Sequence, residues 1–227
     1  MASRKYTIVL RNVRRFRLRW NASSWDPGNI DIMNVFADPE EAFVRGFRAA
    51  GRSFTFLRRD AYTTKEDFTA FIRAQIDQGR PVLALGIIGP PESCIITGYR
   101  KNGNTLLGWN FFQEMSEFGG GSLDESGYFV TDSWWENPST RMLMAIGTEC
   151  GELPPVKDIL TGALNVLERE SVMHSGGYAH LGGQEAYRAL ASALSDDASF
   201  PSGMPLPQLF ERLMCIDDAL MMLGEAR

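Results

Sequence analysis

The order of patterns along the 227-residue chain predicts an α+β protein: an antiparallel sheet with flanking helices, followed by a helical C-terminal unit. Three observations carry this. The near-continuous apolar runs at 81–88 and 93–99 have the length and composition of strands covered on both faces. Asn102-Gly103, just after the second run, is the strongest short hairpin signal in the chain, and residues 105–109 supply its return strand. After Pro154-Pro155 the character changes, and three amphipathic helical periods follow with no strand pattern between them.

In chain order, Phe16, Leu18 and Trp20 alternate with Arg15, Arg17 and Arg19 as in a strand with one buried and one solvated face. Residues 25–29 (Trp-Asp-Pro-Gly-Asn) form a turn, and Ile30 and Ile32 continue as a short strand. Asp38, Pro39, Glu40 and Glu41 predict a helix start with an aspartate N-cap and proline at the first helical position. Phe43, Val44 and Phe47 share its inward face and Gly51 ends it. Phe54 and Phe56 flank Thr55 in a strand. Thr63 and Glu66 have the spacing of a capping box, opening a helix with Phe68, Phe71, Ile72 and Ile76 inward and Gly79 at its end.

Residues 117–127, rich in glycine, serine and acids, read as a mobile loop, and 128–131 and 141–146 as further strands. The later helices are expected at 156–170, 184–194 and 206–223. The boundaries that follow are 16–150 for an α+β domain and 151–227 for a helical domain, the latter expected to be incomplete.

Composition narrows the function classes. Hydrophobic residues make up 44% and charged residues 22%, an ordinary globular balance. No apolar run approaches the roughly 18–20 residues of a membrane span, and the N-terminus lacks a secretory signal pattern. Cys94, Cys150 and Cys215 are odd in number without metal-type spacing, which points to reduced thiols and a cytoplasmic location. Seven of the 23 basic residues and no acids lie in the first twenty positions; beyond them 16 basic residues face 28 acids. The acidic body argues against nucleic acid as a partner, and the basic arm reads as the solvated face of a strand. Homo-oligomerisation stays open.

Four features invite chemistry. The glycines 119–121 lack the flanking strand, helix and lysine of a phosphate loop and read as a flexible hairpin loop. His174 and His180, six residues apart with glycines between, do not share a helix face and read as ordinary loop residues, so no metal site is expected. Cys94 sits in a buried-strand pattern where cysteine acts as a small hydrophobe. Trp109, Trp134, Trp135, Phe111, Phe112 and Tyr128 concentrate aromatic surface that could line a pocket or edge a core. No cofactor motif is found, and none is expected.

The segments Gly79-Arg80-Pro81-Val82, Ile96-Thr97-Gly98-Tyr99 and Leu106-Leu107-Gly108-Trp109-Asn110, joined by the Asn-Gly turn, resemble the bacterial papain-like family of butirosin-biosynthesis protein H, relatives of the double-glycine-leader peptidases. The stretches 16–20, 26–32 and 39–43 are similar to the region preceding that sheet, and Gly182-Gly183-Gln184-Glu185-Ala186-Tyr187 looks like part of the family's C-terminal partner domain. The resemblance implies a papain-like fold. It also implies a catalytic histidine six residues before the glycine of Gly98-Tyr99, where this chain has Glu92, and an orienting asparagine or aspartate at Asn110. The family's nucleophilic cysteine belongs to a helix upstream of everything matched, and residues 1–15 contain no cysteine, so the N-terminal cysteine segment is expected to be missing.

Thiolate chemistry needs a proton acceptor beside the thiol, and a carboxylate at the histidine position disfavours a thiolate. The expectation is therefore a peptidase-inactive protein binding a small molecule or acyl-carrier-linked group, in the manner of secondary metabolism, beside Glu92, Cys94, Trp109 and Asn110. An aminoacyl- or acyltransferase, with its nucleophile from a missing N-terminal segment or with Glu92 as base, and a non-catalytic interaction or regulatory module are the alternatives; Glu92 and Asn110 are the catalytic candidates.

Overall fold

The computed structural model describes residues 36–38, 40–120, 122–149, 153–168, 171–173 and 179–225. The strands expected at 16–20 and 30–32, the turn between them, Pro39, Gly121, Cys150 and His174 lie outside the described residues. The chain divides into two compact units, Arg52–Glu149 and the combination of Met1–Gly51 with Cys150–Arg227.

The first unit is a six-stranded sheet with β1 (Arg52–Arg58), β2 (Val82–Leu85), β3 (Ser93–Arg100), β4 (Thr105–Asn110), β5 (Phe129–Thr131) and β6 (Met142–Glu149) in the order β1-β6-β2-β3-β4-β5. Every pairing is antiparallel. Helix α1 (Glu41–Ala49) precedes the sheet in sequence, and α2 (Lys65–Ile76) connects β1 to β2. Phe68 and Ile72 of α2 are fully buried in one cluster with Val82, Ala84, Cys94 and Ile96 of the central strands. Each such side chain contributes about 1.5–3 kcal/mol by leaving water. An α+β architecture with an antiparallel sheet and helices is thus present.

Local chemistry explains several boundaries. The expected aspartate cap of α1 is displaced: the helix begins at Glu41 with Glu40 at the N-cap and no side-chain cap bond, and the Asp38 carboxylate accepts the Glu40 N–H at 2.9 Å in an Asx turn ahead of it. Ala42 is the buried position on α1 and Phe43 and Phe47 are half-buried, but Val44 is exposed, so the inward face is rotated away from it. Gly51, at φ +66°, ends the helix as expected. At α2 the capping box is one residue later than expected. Thr64 accepts the Asp67 N–H at 3.2 Å and Asp67 accepts the Thr64 N–H at 2.8 Å. The Thr63 hydroxyl is taken by the Asp60 N–H at 2.8 Å instead.

Strand β2 is covered on both faces, but β3 alternates: Cys94 and Ile96 are buried while Ile95 is exposed, so only one face of β3 is dry. The β3–β4 connection is a four-residue link in which Lys101, Asn102 and Gly103 all have positive φ. Gly103 is needed twice over, because a Cβ there would also come within 2.4 Å of Thr69 Cγ2. Within the stretch expected to be a mobile loop, 117–127, the described residues make several hydrogen bonds. Gly120 donates to Met115 O at 3.1 Å, Val130 donates to Ser122 O at 2.8 Å, and the Asp124 carboxylate accepts the Ser126 and Tyr128 N–H groups.

In the second unit α3 (Val156–Glu168), α4 (Gly183–Leu194) and α5 (Leu206–Glu225) occupy the expected helical periods. Between α3 and α4 the chain forms an unexpected antiparallel pair, β7 (Ser171–Met173) with β8 (Ala179–Leu181), the latter containing His180. Each strand is three residues long, too short to leave a period-2 signature. Helices α4 and α5 pack through Ala186 and Leu190 against Cys215 and Ala219.

Candidate functional site

The four residues singled out in the sequence fall into three places. Glu92 is exposed and lies just before β3, where its carbonyl accepts the Gly86 N–H at 3.0 Å. Cys94 and Asn110 are register partners on β3 and β4, each 1% exposed on the inner face of the sheet. Trp109 pairs with Ile95 on the opposite face, 41% exposed, with its ring edge-to-face on Phe111 at 4.8 Å. Cys94 and Asn110 are therefore brought together, and Trp109 is turned away from them by the pleat.

Burial pushes the Cys94 thiol far above its ordinary value, which removes thiolate at neutral pH. Iodoacetamide is accordingly expected to leave Cys94 unmodified in the native chain and to label it after denaturation, read by peptide mass mapping. Rapid labelling of the native chain contradicts this placement.

Asn110 is fully engaged. Its Nδ2 donates to Ile88 O at 3.2 Å, its Oδ1 accepts the Phe112 N–H at 2.6 Å, and its own N–H donates to Gln113 Oε1 at 3.2 Å. Gln113 Nε2 continues the chain of bonds to Gly127 O at 3.0 Å. One buried amide thus links the 86–92 loop to the turn after β4. That loop is unusual: Gly86, Ile87 and Gly89 all have positive φ, and Ile87 at +72° is β-branched and buried. Such a conformation costs on the order of 1–3 kcal/mol and persists only where its surroundings enforce it. Here Thr140 Oγ1 accepts the Ile87 N–H at 3.3 Å and Asn137 Nδ2 donates to Gly89 O at 3.0 Å.

The held loop forms one wall of a cavity of about 380 Å³, lined by Ile88, Gly119, Gly120, Ser122, Val130, Thr131, Asp132 and Ser133. Gly120 sits so close to the turn after β4 that a Cβ would lie 2.4 Å from Phe112 O. Asp132 is fixed at this cavity: its Oδ1 accepts the Thr105 hydroxyl and its Oδ2 accepts Lys101 Nζ at 3.2 Å. Those two hydrogen bonds hold its carboxyl below the usual carboxylate range. Ile88 and the adjacent pair Asp132-Ser133 escaped sequence reasoning because they come from two separate loops with no shared spacing. The one local signal was Asn110 followed by Phe112 two residues on, the geometry of an Asx turn.

Among the described residues no group of three His, Cys, Asp or Glu side chains could hold a metal ion, and no helix is long and apolar enough to cross a membrane. Comparison with known proteins gives no matching family model, no matching curated protein and no matching solved structure.

Proposed function

We propose that the sheet unit is a papain-like domain without peptidase activity, and that it binds a small molecule, free or carried on an acyl carrier, in the cavity between Ile88, Gly120 and Asp132. The observation that carries this reading is the use of Asn110. In a peptidase its amide would orient a base; here both ends of it are spent on Ile88 O and the Phe112 N–H, holding the cavity wall. The buried Cys94 beside it is likewise core rather than nucleophile. The cavity falls within the range of about 300–1,000 Å³ typical of ligand sites. Its carboxylate and the hydroxyls of Ser122, Thr131 and Ser133 favour a ligand carrying hydroxyl or amine donors.

Thermal denaturation against a panel of amino acids, amino sugars and acyl-pantetheines tests the proposal. A ligand at a hundred times its dissociation constant adds about 2.7 kcal/mol, enough to raise the midpoint by several degrees. Ser133→Phe, which fills the cavity from an exposed position, is expected to abolish that shift while leaving the ligand-free midpoint unchanged. The reading is lost if no compound shifts the midpoint, or if the shift survives Ser133→Phe.

A further inference from the structure

Among the described residues that line the cavity, Asp132 alone carries a charge. Its carboxylate is held from a buried position. Thr105, 3% exposed, and Asp132 stand one step beyond the Leu106–Thr131 pair of the β4–β5 ladder, and the Thr105 hydroxyl donates across that step to Asp132 Oδ1. Such a charge-assisted bond fixes the direction of the carboxylate. The second oxygen has a looser partner. Lys101 Nζ donates to Asp132 Oδ2 at 3.2 Å, yet the two side chains are 69% and 64% exposed, and an ion pair that open contributes little to stability. Lys101 also occupies an unusual place for a lysine: its φ of +49° is a left-handed conformation that favours glycine or asparagine. What lysine brings to that position is an ammonium group delivered to Asp132.

We propose that Asp132 is the specificity-determining residue of the cavity: it takes a protonated amine of the ligand, Thr105 positions its carboxylate, and Lys101 stands in for that amine in the free protein. This rests on the reading of the cavity as a ligand site and selects among the ligands that reading allows. An anionic ligand would meet a carboxylate and no cation in the lining. A neutral hydroxyl can donate to Asp132, but an ammonium donates and also neutralises it. The carboxylate has about four acceptor positions, and Thr105 and Lys101 use two of them. Lys65 also acts on Asp132 by its charge, but it lies outside the lining, with its ammonium 5.5 Å from the Trp134 ring centroid. An arriving amine therefore competes with Lys101 above all. The competition has a testable sign. In an ion pair that served only the fold, losing Lys101 would weaken the site; where Lys101 is a stand-in, losing it strengthens binding of the amine.

A four-carbon series that differs only at one end provides the test: aminobutanol, butanediol and hydroxybutyrate, each titrated into the full chain at neutral pH. The backbone amide resonances of Ser122, Val130 and Ser133 report occupancy of the cavity. Aminobutanol is expected to bind about fivefold more tightly than the other two, the usual gain when one hydrogen-bond partner acquires a charge. Asp132→Asn keeps an oxygen to accept from Thr105 but loses the charge, and is expected to erase the preference. Thr105→Val is expected to weaken aminobutanol more than butanediol, with the circular dichroism unchanged. Lys101→Ala is expected to tighten aminobutanol about two- to fivefold, the worth of one exposed ion pair, and to leave butanediol as it was. Butanediol or hydroxybutyrate binding as tightly as aminobutanol, or a preference that survives Asp132→Asn, overturns the proposal and leaves the cavity reading in place. A Lys101→Ala chain that binds aminobutanol no more tightly than the wild type removes Lys101 from the stand-in role. Absence of any shift with all three compounds overturns the amine subsite, and the cavity reading then stands or falls on the compound panel with Ser133→Phe.

Discussion

Phe68→Ala is expected to lower the unfolding free energy of the sheet unit by about 3–5 kcal/mol, the largest effect of any single truncation considered. Phe68 is fully buried, and its ring stands edge-to-face on Trp135 with centroids 5.1 Å apart. Trp135 in turn lies under the Arg59 guanidinium, 3.9 Å from the ring centroid, so the aromatic pair is closed on its outer side by a cation. Removing the Phe68 ring leaves a void bordered by Ile72 and the central strands, and those strands cannot collapse into it without breaking ladder hydrogen bonds. A single domain is typically stable by only 5–15 kcal/mol. The variant therefore sits close to its unfolding threshold at 25 °C. Urea titration followed by circular dichroism and by amide exchange of β2–β4 reads the effect directly. Phe68→Leu, which keeps most of the volume, is expected to cost less than half as much. A Phe68→Ala midpoint within experimental scatter of the wild type would show that α2 is not the element that closes this face.

Much of that core is legible in the sequence because it is written in local periods. Phe68 and Ile72 are four residues apart on one helical face, and Val82 to Leu85 is a run with no polar interruption. Where two local solutions compete, sequence alone does not choose between them. Thr63 with Glu66 and Thr64 with Asp67 both have cap spacing. The choice is made by Asp60, whose carboxylate accepts the Thr63 N–H at 2.9 Å and whose N–H engages the Thr63 hydroxyl. Sheet order is less accessible still. Strand β6 inserts between β1 and β2, and nothing near Met142 in the sequence refers to residues some sixty or more positions earlier.

The site divides along the same line. Burial of Cys94 is legible from the apolar run at 93–99, although the structure dries only one face of β3. The role of Asn110 is not, since one asparagine at the end of a strand suits both an orienting amide in a catalytic site and an Asx turn. The cavity is built from the 86–92 loop, the 116–122 loop and the end of β5, brought together by bonds such as Gly89 N–H to Phe118 O at 3.1 Å. Long-range closure of this kind leaves no pattern within any window of the sequence.

Substitution of Asn110 separates the two roles. Asn110→Ala strips the partner from both Ile88 O and the Phe112 N–H in a site that is closed to water. An unsatisfied buried group costs about 1–3 kcal/mol, so the pair is expected to cost about 2–4 kcal/mol. Asn110→Asp is the informative variant. An orienting residue tolerates aspartate, because a carboxylate accepts from an imidazole as well as an amide oxygen does. A structural amide does not: the carboxylate keeps the acceptor for the Phe112 N–H but turns an oxygen, instead of a donor, toward the Ile88 carbonyl. Burial and that carbonyl both raise the introduced carboxyl's pKa in the folded state above its unfolded value near 3.9. The folded chain then binds the proton more tightly than the unfolded one. The stabilising contribution of protonation is complete below the unfolded value and is lost as pH rises through the folded one. The stability deficit of Asn110→Asp is thus expected to be near that of Asn110→Ala at pH 7 and to shrink toward pH 4, where the protonated carboxyl donates to Ile88 O. Urea midpoints for both variants and the wild type at the two pH values measure this. An Asn110→Asp chain as stable as wild type at pH 7 would show that the amide donor to Ile88 O is not needed and remove the main support for a binding cavity walled by its hydrogen bonds.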